Sequence, residues 1–253
     1  MTTFDPVMAS SYDAMYAAKD YPREAEAYHE LFQLADGPVR TVLSFGSGTL
    51  GHERFLIGKG YRFHGVDLSP TMVELAAERI RSEGIEGITV EQGDMTSYQA
   101  APGSYDAVAL FFNVVAYCDG LPDLERVIAN AATALRSGGV LVFDAWNAAA
   151  VRKEPPHDRT ATFEQDVVTI TRATTATHVP EKHRVDLDIT IDRTDGERTS
   201  ERHAVHYWDI ADIKRLLDAH GLELVRASRF PEISEPPSDA YWAIAIVARK
   251  RAA

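Results

Sequence analysis

Apolar residues along this chain keep one rhythm up to about residue 150 and another beyond it. In the first part, short apolar runs alternate with helical stripes. Thr41-Val42-Leu43-Ser44-Phe45, Phe63-His64-Gly65-Val66, Ile88-Thr89-Val90-Glu91, Tyr105 to Phe112 and Val140-Leu141-Val142-Phe143 read as five strands. The fourth is almost continuously apolar, as a strand covered on both faces should be. Three helices are predicted between them. The first runs through Phe55, Leu56 and Lys59. The second carries Met72, Leu75, Ala76 and Ile80 behind a Ser69-Pro70 start. The third carries Leu124, Val127, Ile128, Ala131 and Leu135 behind Pro122. Ser137-Gly138-Gly139 is expected to stop the third. Tyr12 to Leu34 reads as helical and aromatic-rich, with Pro22 beginning a second piece. Such alternation predicts βαβ units and an α/β, doubly wound, Rossmann-like sheet that is mainly parallel.

From about Ala150 the period becomes two. Val185, Leu187, Ile189 and Ile191 alternate with Asp186, Asp188, Thr190 and Asp192, which predicts a half-buried antiparallel strand. Asp195-Gly196 is a hairpin turn into a strand from Glu197 to Trp208, and Val167 to Thr171 should pair with these. Asp209 can cap a helix through Ile213, Leu216 and Leu217, with Gly221 just past its end. Two last strands, Leu222–Ala227 and Tyr241–Ala248, bring the main sheet to seven. The expected organisation is a helical cap over residues 1–38 and a ligand-binding core over 39–149. A small antiparallel β insertion over the active site follows at 150–208, and the rest of the core at 209–253.

Composition narrows the partners. The 253 residues are 45% hydrophobic and 25% charged, an ordinary globular mixture. The formal charge of −12 argues against nucleic acid and against an anionic membrane surface as partners. A lone cysteine, Cys118, excludes an intramolecular disulfide and a cysteine-based metal cluster. Met1-Thr2-Thr3-Phe4-Asp5 has neither a basic nor an apolar targeting region, so the expected location is cytoplasmic.

Gly46-Ser47-Gly48-Thr49-Leu50-Gly51 follows a strand and opens a helix, and Asp67 ends the next strand. Glycines there let the backbone approach a ligand, and a carboxylate at that place can grip two ribose hydroxyls. A dinucleotide and S-adenosylmethionine both use this turn and this acid. After the fifth strand the chain has no second mononucleotide-binding half, which tips the reading toward the methyl donor.

These residues carry a resemblance. Leu43 to Gly51, Val66-Asp67-Leu68-Ser69, Gln92-Gly93-Asp94-Met95, Tyr105-Asp106-Ala107-Val108 and Leu135-Arg136-Ser137-Gly138-Gly139 are similar, in order, to the motifs of class I S-adenosylmethionine-dependent methyltransferases. Tyr12-Asp13-Ala14-Met15-Tyr16, Lys19-Asp20-Tyr21 and Glu24-Ala25 resemble the bacterial enzymes that N-methylate nucleotide-linked amino sugars, the desosamine and mycaminose type. So does the stretch with Glu201, His203 and Tyr207. By this resemblance the donor falls on Gly46, Gly48, Asp67, Leu68, Asp94, Met95 and Phe111, with Tyr16 and Tyr21 closing over its methionine end. Three positions depart from the family. Ser44 stands where an acid is usual. Leu50 replaces a third close-spaced glycine and is expected to need room the family leaves empty. Tyr117 stands where some amino-sugar enzymes carry histidine.

The acceptor side is read from chemistry. A sulfonium is already a good leaving group, so positioning in a dry pocket supplies most of the rate. An amine acceptor need only be neutral, whereas a hydroxyl needs a base. Candidate catalytic residues are His203, Tyr117, Tyr16 and Glu201, with His206 also within the strand. Period two puts Glu201 and His203 on one face and His206 on the other, which argues against a shared metal. Trp146, Asn147 and Tyr117 are candidate substrate-binding residues, because ligands of such sheets lie beyond the carboxyl ends of the strands. The reading is a methyltransferase for a small-molecule acceptor, best an amino group of a nucleotide-linked sugar or natural-product intermediate. An O-methyltransferase is the near rival. An NAD-type oxidoreductase and a non-catalytic nucleoside-binding homologue are the more distant ones. A homodimer is left open.

Overall fold

Period-two burial splits each central strand between two helical layers. In a computed structural model describing residues 4–252, Val42, Ala107, Val140 and Val142 face one layer, while Leu43, Val108, Leu141 and Phe143 face the other. Met1 to Thr3, part of the targeting argument above, lie outside the described residues. Each of those valine, leucine and phenylalanine side chains contributes about 1.5–3 kcal/mol on burial. Two-sided burial is what a parallel sheet wrapped by crossover helices requires.

The chain opens with α1 (Pro6–Met15) and α2 (Tyr21–Phe32), capped by the Asp5 and Asp20 carboxylates. Then come β1 (Thr41–Phe45), the short α3 (Glu53–Leu56), β2 (Arg62–Asp67), α4 (Pro70–Ser82), β3 (Ile88–Gln92) and β4 (Tyr105–Leu110). Ser69 caps α4 through Met72 N, with Pro70 in its first turn as expected. A 3₁₀ turn at Val114–Tyr117 precedes α5 (Leu121–Ala134) and β5 (Leu135–Trp146), and α6 (Ala148–Lys153) leaves the core. The second sheet holds β6 (Arg159–Gln165), β7 (Val168–Val179), β8 (Arg184–Arg193) and β9 (Arg198–His206). The chain returns through α7 (Ile210–Ala219), β10 (Leu222–Arg229) and β11 (Ala243–Lys250).

The main sheet has the order β10-β11-β5-β4-β1-β2-β3, parallel from β5 to β3, with β11 antiparallel to β5 and to β10. The second sheet is an antiparallel meander, β6-β7-β8-β9. It rests on α1 through Met8, Met15, Ile170, Ile189 and Ile191.

Several sequence expectations are corrected. Leu135 is not the last apolar position of α5 but the first residue of β5, which begins five residues before Val140. Its pairing with β4 shifts register between Tyr105 and Ala107, so Ser137-Gly138-Gly139 is an irregular strand entry and not a helix stop. β4 ends at Leu110, because the backbone turns left-handed at Phe112 and Asn113 (φ 65° and 59°). β6 has no counterpart in the sequence reading: Phe163 is its one large apolar side chain, and as an edge strand it needs no alternation. Asp209 precedes α7 but makes no side-chain cap; its carboxylate pairs with Arg152.

Candidate active site

Strand ends of the main sheet, the inner face of the second sheet and α1 enclose a cavity of about 470 Å³. That is the size of a small-molecule site. One end is built by the β1–α3 loop. Gly46 and Gly48 have positive φ (64° and 51°); a Cβ on Gly48 would meet nothing within 4 Å, so the backbone lies bare there, whereas a Cβ on Gly46 would come within 2.5 Å of Val114. Gly51 serves packing instead: a Cβ there would come within 2.6 Å of the Tyr21 ring. Leu50 carries the left-handed conformation (φ 65°) but is fully buried among the residues under α2 and α4, and it does not line the cavity. The expected crowding of the loop by Leu50 is therefore absent.

Asp67 ends β2 beside this loop. Its Oδ2 accepts the Gly48 N–H at 2.8 Å and its Oδ1 accepts the Ser69 N–H at 2.9 Å. Each oxygen keeps a lone pair free, the arrangement two vicinal hydroxyls need. Burial pushes its carboxyl above the ordinary value, although both backbone bonds oppose this. Leu68, Asp94 and Met95 continue the wall. Asp94 Oδ1 is held by Thr96 N and Thr96 Oγ1, which fixes the turn after β3. Phe111 lines the floor and packs on Tyr28 with ring centroids 4.3 Å apart.

Tyr16 and Tyr21 close the cavity from the cap. Tyr16 stands edge-on to Phe112 at 4.9 Å, and Tyr21 packs on His52 at 4.8 Å. The left-handed Phe112 and Asn113 are held by side-chain bonds. Asn113 N donates to Asp144, Asp144 accepts the Tyr28 hydroxyl, and Asn113 Oδ1 accepts Trp146 N. Strained backbone held this firmly is a mark of functional turns.

At the other end the second sheet brings a hydrogen-bonded chain. Tyr117 Oη lies 3.0 Å from His203 Nδ1, and His203 Nε2 lies 2.8 Å from Glu201 Oε2. A carboxylate only accepts, so the Nε2–H points to Glu201 and Nδ1 accepts the Tyr117 O–H. Glu201 also takes the Phe4 and Asp5 N–H groups. Burial raises the Glu201 carboxyl, but His203 and these two N–H groups outweigh it and hold the group below its ordinary value. Enclosure pushes the Tyr117 hydroxyl well up, and neighbouring Tyr16 and Glu201 add to the effect.

Tyr16, Tyr117, Trp146 and His203 thus line one cavity, as do all nine donor candidates. Glu201 stands behind His203. Asn147 is a correction: it is buried, its amide donates to Ser238 O, and its Oδ1 caps α6, so its bonds are spent away from the cavity. Asn113 occupies the cavity wall instead. His206 lies on the opposite face of β9, stacked on Trp208. Sequence reading missed Glu53, Arg172, Thr174, Leu187, Ile189 and Val205 in the lining. Arg172 donates to Tyr16 Oη at 3.2 Å and, among the described residues, is the one lysine or arginine of the lining, against Glu53, Asp67, Asp94 and Asp123. This acid-rich interior favours a cationic ligand. A second hollow, about 510 Å³, lies between α2 and the β10–β11 connection. It is open, and its two arginines, Arg23 and Arg229, are both paired with Glu232.

Residues 42–139 match the family model described as a methyltransferase domain. The chain is 26% identical over 147 residues to the dTDP-4-amino-2,3,4,6-tetradeoxy-D-glucose N,N-dimethyltransferase of Saccharopolyspora spinosa, covering 57% of each protein, so the match spans little more than half of that relative. It is 23% identical over 221 residues to the dTDP-3-amino-3,6-dideoxy-alpha-D-glucopyranose N,N-dimethyltransferase of Streptomyces fradiae, covering 86% of this chain and 84% of that one. Among solved structures, an S-adenosylmethionine-dependent methyltransferase from Clostridium acetobutylicum superposes with a TM-score of 0.80 at 18% identity, over 97% of this chain and 98% of the other.

Proposed function

We propose that this chain, which carries a class I S-adenosylmethionine-dependent methyltransferase domain, transfers a methyl group to the amino nitrogen of a nucleotide-linked amino sugar or a related natural-product intermediate. One observation carries the reading. A carboxylate with two free acceptor positions, Asp67, shares its cavity with the Tyr117–His203–Glu201 chain. The two N,N-dimethyltransferase relatives support the choice of an amine.

The cavity fits the donor at its polar points. Asp67 would hold the ribose hydroxyls. Leu68, Asp94 and Met95 would border the adenine, and Phe111 would form the floor. The Gly46 backbone and the bare Gly48 backbone beside it would face the chain of the methionine, with Gly46 closed on its other side by Val114 and with Tyr16 and Tyr21 over it. S-adenosylmethionine, when bound, supplies an electrophilic methyl group on a sulfonium whose departure leaves a neutral thioether. The protein's part is to exclude water, align the acceptor and take its proton. Trp146 and Tyr117 would flank the acceptor. Tyr117 Oη is free to accept a hydrogen bond from the acceptor while its own proton faces His203 Nδ1. As the acceptor's proton moves to Tyr117, the Tyr117 proton can pass to His203, and Glu201 stabilises the resulting imidazolium. The raised Tyr117 pKa supports a phenol that works through this relay over a free phenolate.

The relay is also what a hydroxyl acceptor would need, so O-methylation is the second reading. One experiment separates the two. The protein is incubated with S-adenosylmethionine and a panel of dTDP-linked amino sugars and their hydroxyl counterparts, and products are read by mass spectrometry. The rate of His203→Asn is then followed across pH on the substrate that turns over. For an amine the variant loses about tenfold or less in kcat and recovers as pH rises, because the free amine then forms in solution. For a hydroxyl it loses about 10²–10⁴ with no such recovery. Methylation of the hydroxyl series alone would overturn the amine reading.

A further inference from the structure

Glu53 is a buried acidic side chain that forms no ion pair among the described residues. It is 2% exposed, at the start of α3, and it lines the cavity beside the Gly46–Gly48 loop. Its side-chain hydrogen bond is to the Ser44 hydroxyl, at 2.6 Å from Oε1. Among the described residues no lysine or arginine forms an ion pair with it, and Lys19 and Arg79 are engaged by Glu24 and Asp13. Burial pushes its carboxyl above the ordinary range. A carboxyl buried this deeply is costly as an anion, and a cation that reaches it favours the charged form. Ser44 adds the complementary half. The end of β1 has a hydroxyl, and that hydroxyl is turned toward Glu53.

We propose that Glu53 is the anionic site for the primary ammonium group at the methionine end of the donor. The carboxylate stands in the first turn of α3, and Ser44 at the end of β1 orients it. The inference rests on the donor reading above and names the part of the cavity that distinguishes S-adenosylmethionine from other nucleosides. Asp67 meets the ribose of any adenosine derivative, whereas Glu53 meets only a ligand with the amino-acid end. Ser44 therefore acts as a positioning residue and Glu53 as a binding one. An account in which the pair merely fills the core makes opposite demands, since losing the charge would then lower stability and leave ligands unaffected.

The test is calorimetric titration of the whole protein with S-adenosylhomocysteine and with 5′-methylthioadenosine, which keeps adenine and ribose but lacks the amino acid. Glu53→Gln should bind S-adenosylhomocysteine roughly ten- to a hundredfold more weakly, the scale of a lost charge-assisted hydrogen bond, and methylthioadenosine within about twofold of wild type. Its ligand-free melting temperature should be equal to or above that of the wild type. Ser44→Asp combined with Glu53→Gln returns a charge to β1 and should recover most of the lost affinity; it also serves as the reading if the single variant does not fold. Unchanged S-adenosylhomocysteine affinity in folded Glu53→Gln, or an equal loss for methylthioadenosine, overturns the proposal alone. Failure of the wild type to bind S-adenosylhomocysteine overturns the donor reading and the proposal with it.

Discussion

Leu50 shows how one side chain answers two demands at once. Its φ of 65° would suit glycine, yet its side chain is completely buried under α2 and α4. Relief of the left-handed strain would return about 1–3 kcal/mol. Emptying a buried leucine position costs about 2–5 kcal/mol. Burial wins, so Leu50→Gly should be destabilised by a net ~1–3 kcal/mol while its affinity for S-adenosylhomocysteine is unchanged, because the residue does not reach the cavity. Chemical denaturation and calorimetry on the same variant check both parts; weaker ligand binding in the folded variant would return Leu50 to the site. Single residues were legible in the sequence where their role is local. The glycine turn and Asp67 follow from strand, turn and spacing alone. Asn147 was misplaced because its neighbour across the strand end, Asn113, reaches the cavity only through a left-handed turn that no sequence periodicity announces. Glu53 did leave a signal: a carboxylate just after the glycine-rich turn, in a chain whose preceding strand ends without one.

At the scale of elements, β9 carries two histidines with opposite fates. Alternation sends His203 to the cavity and His206 to the far face, and this was readable from period two. Which other strand residues meet the ligand was not. Arg172, Leu187 and Ile189 face the cavity because of how the second sheet leans on α1 and the main sheet, and that is decided by tertiary packing. His206 is stacked on Trp208, its Nδ1 is buried with no hydrogen-bond partner among the described residues, and Asp119 and Arg184 act on it with opposite sign. Burial dominates and holds its pKa below the ordinary 6.5. The folded state therefore prefers neutral His206, and the unfolded chain takes up a proton more readily. The stability this contributes is complete above about pH 6.5 and is lost as pH falls toward the folded-state value. Thermal melts from pH 8 to 5 should show this loss in the wild type and a flatter course in His206→Phe. Equal slopes would remove His206 as the cause.

For the whole molecule, the acidic composition and the acid-rich cavity are distinct facts. The net charge of −12 speaks about nucleic acid and membrane surfaces, whereas the four lining carboxylates speak about the charge of the ligand. Among the described residues no helix is long and apolar enough to cross a membrane. The seven-stranded architecture was legible because buried parallel strands and amphipathic helices have different periods. The four-stranded layer was legible only in part, since its edge strand β6 carries no apolar repeat. The account as a whole requires a donor seated on Asp67 in the cavity between the two sheets. Its most direct test is calorimetric titration of wild-type protein and Asp67→Ala with S-adenosylhomocysteine, and of the wild type with NADH. The wild type should bind S-adenosylhomocysteine and not NADH, and the folded variant should lose roughly 1–3 kcal/mol of that binding, the worth of a charged acceptor to the ribose hydroxyls. Binding of NADH without S-adenosylhomocysteine, or an affinity unmoved by removing Asp67, would contradict the account.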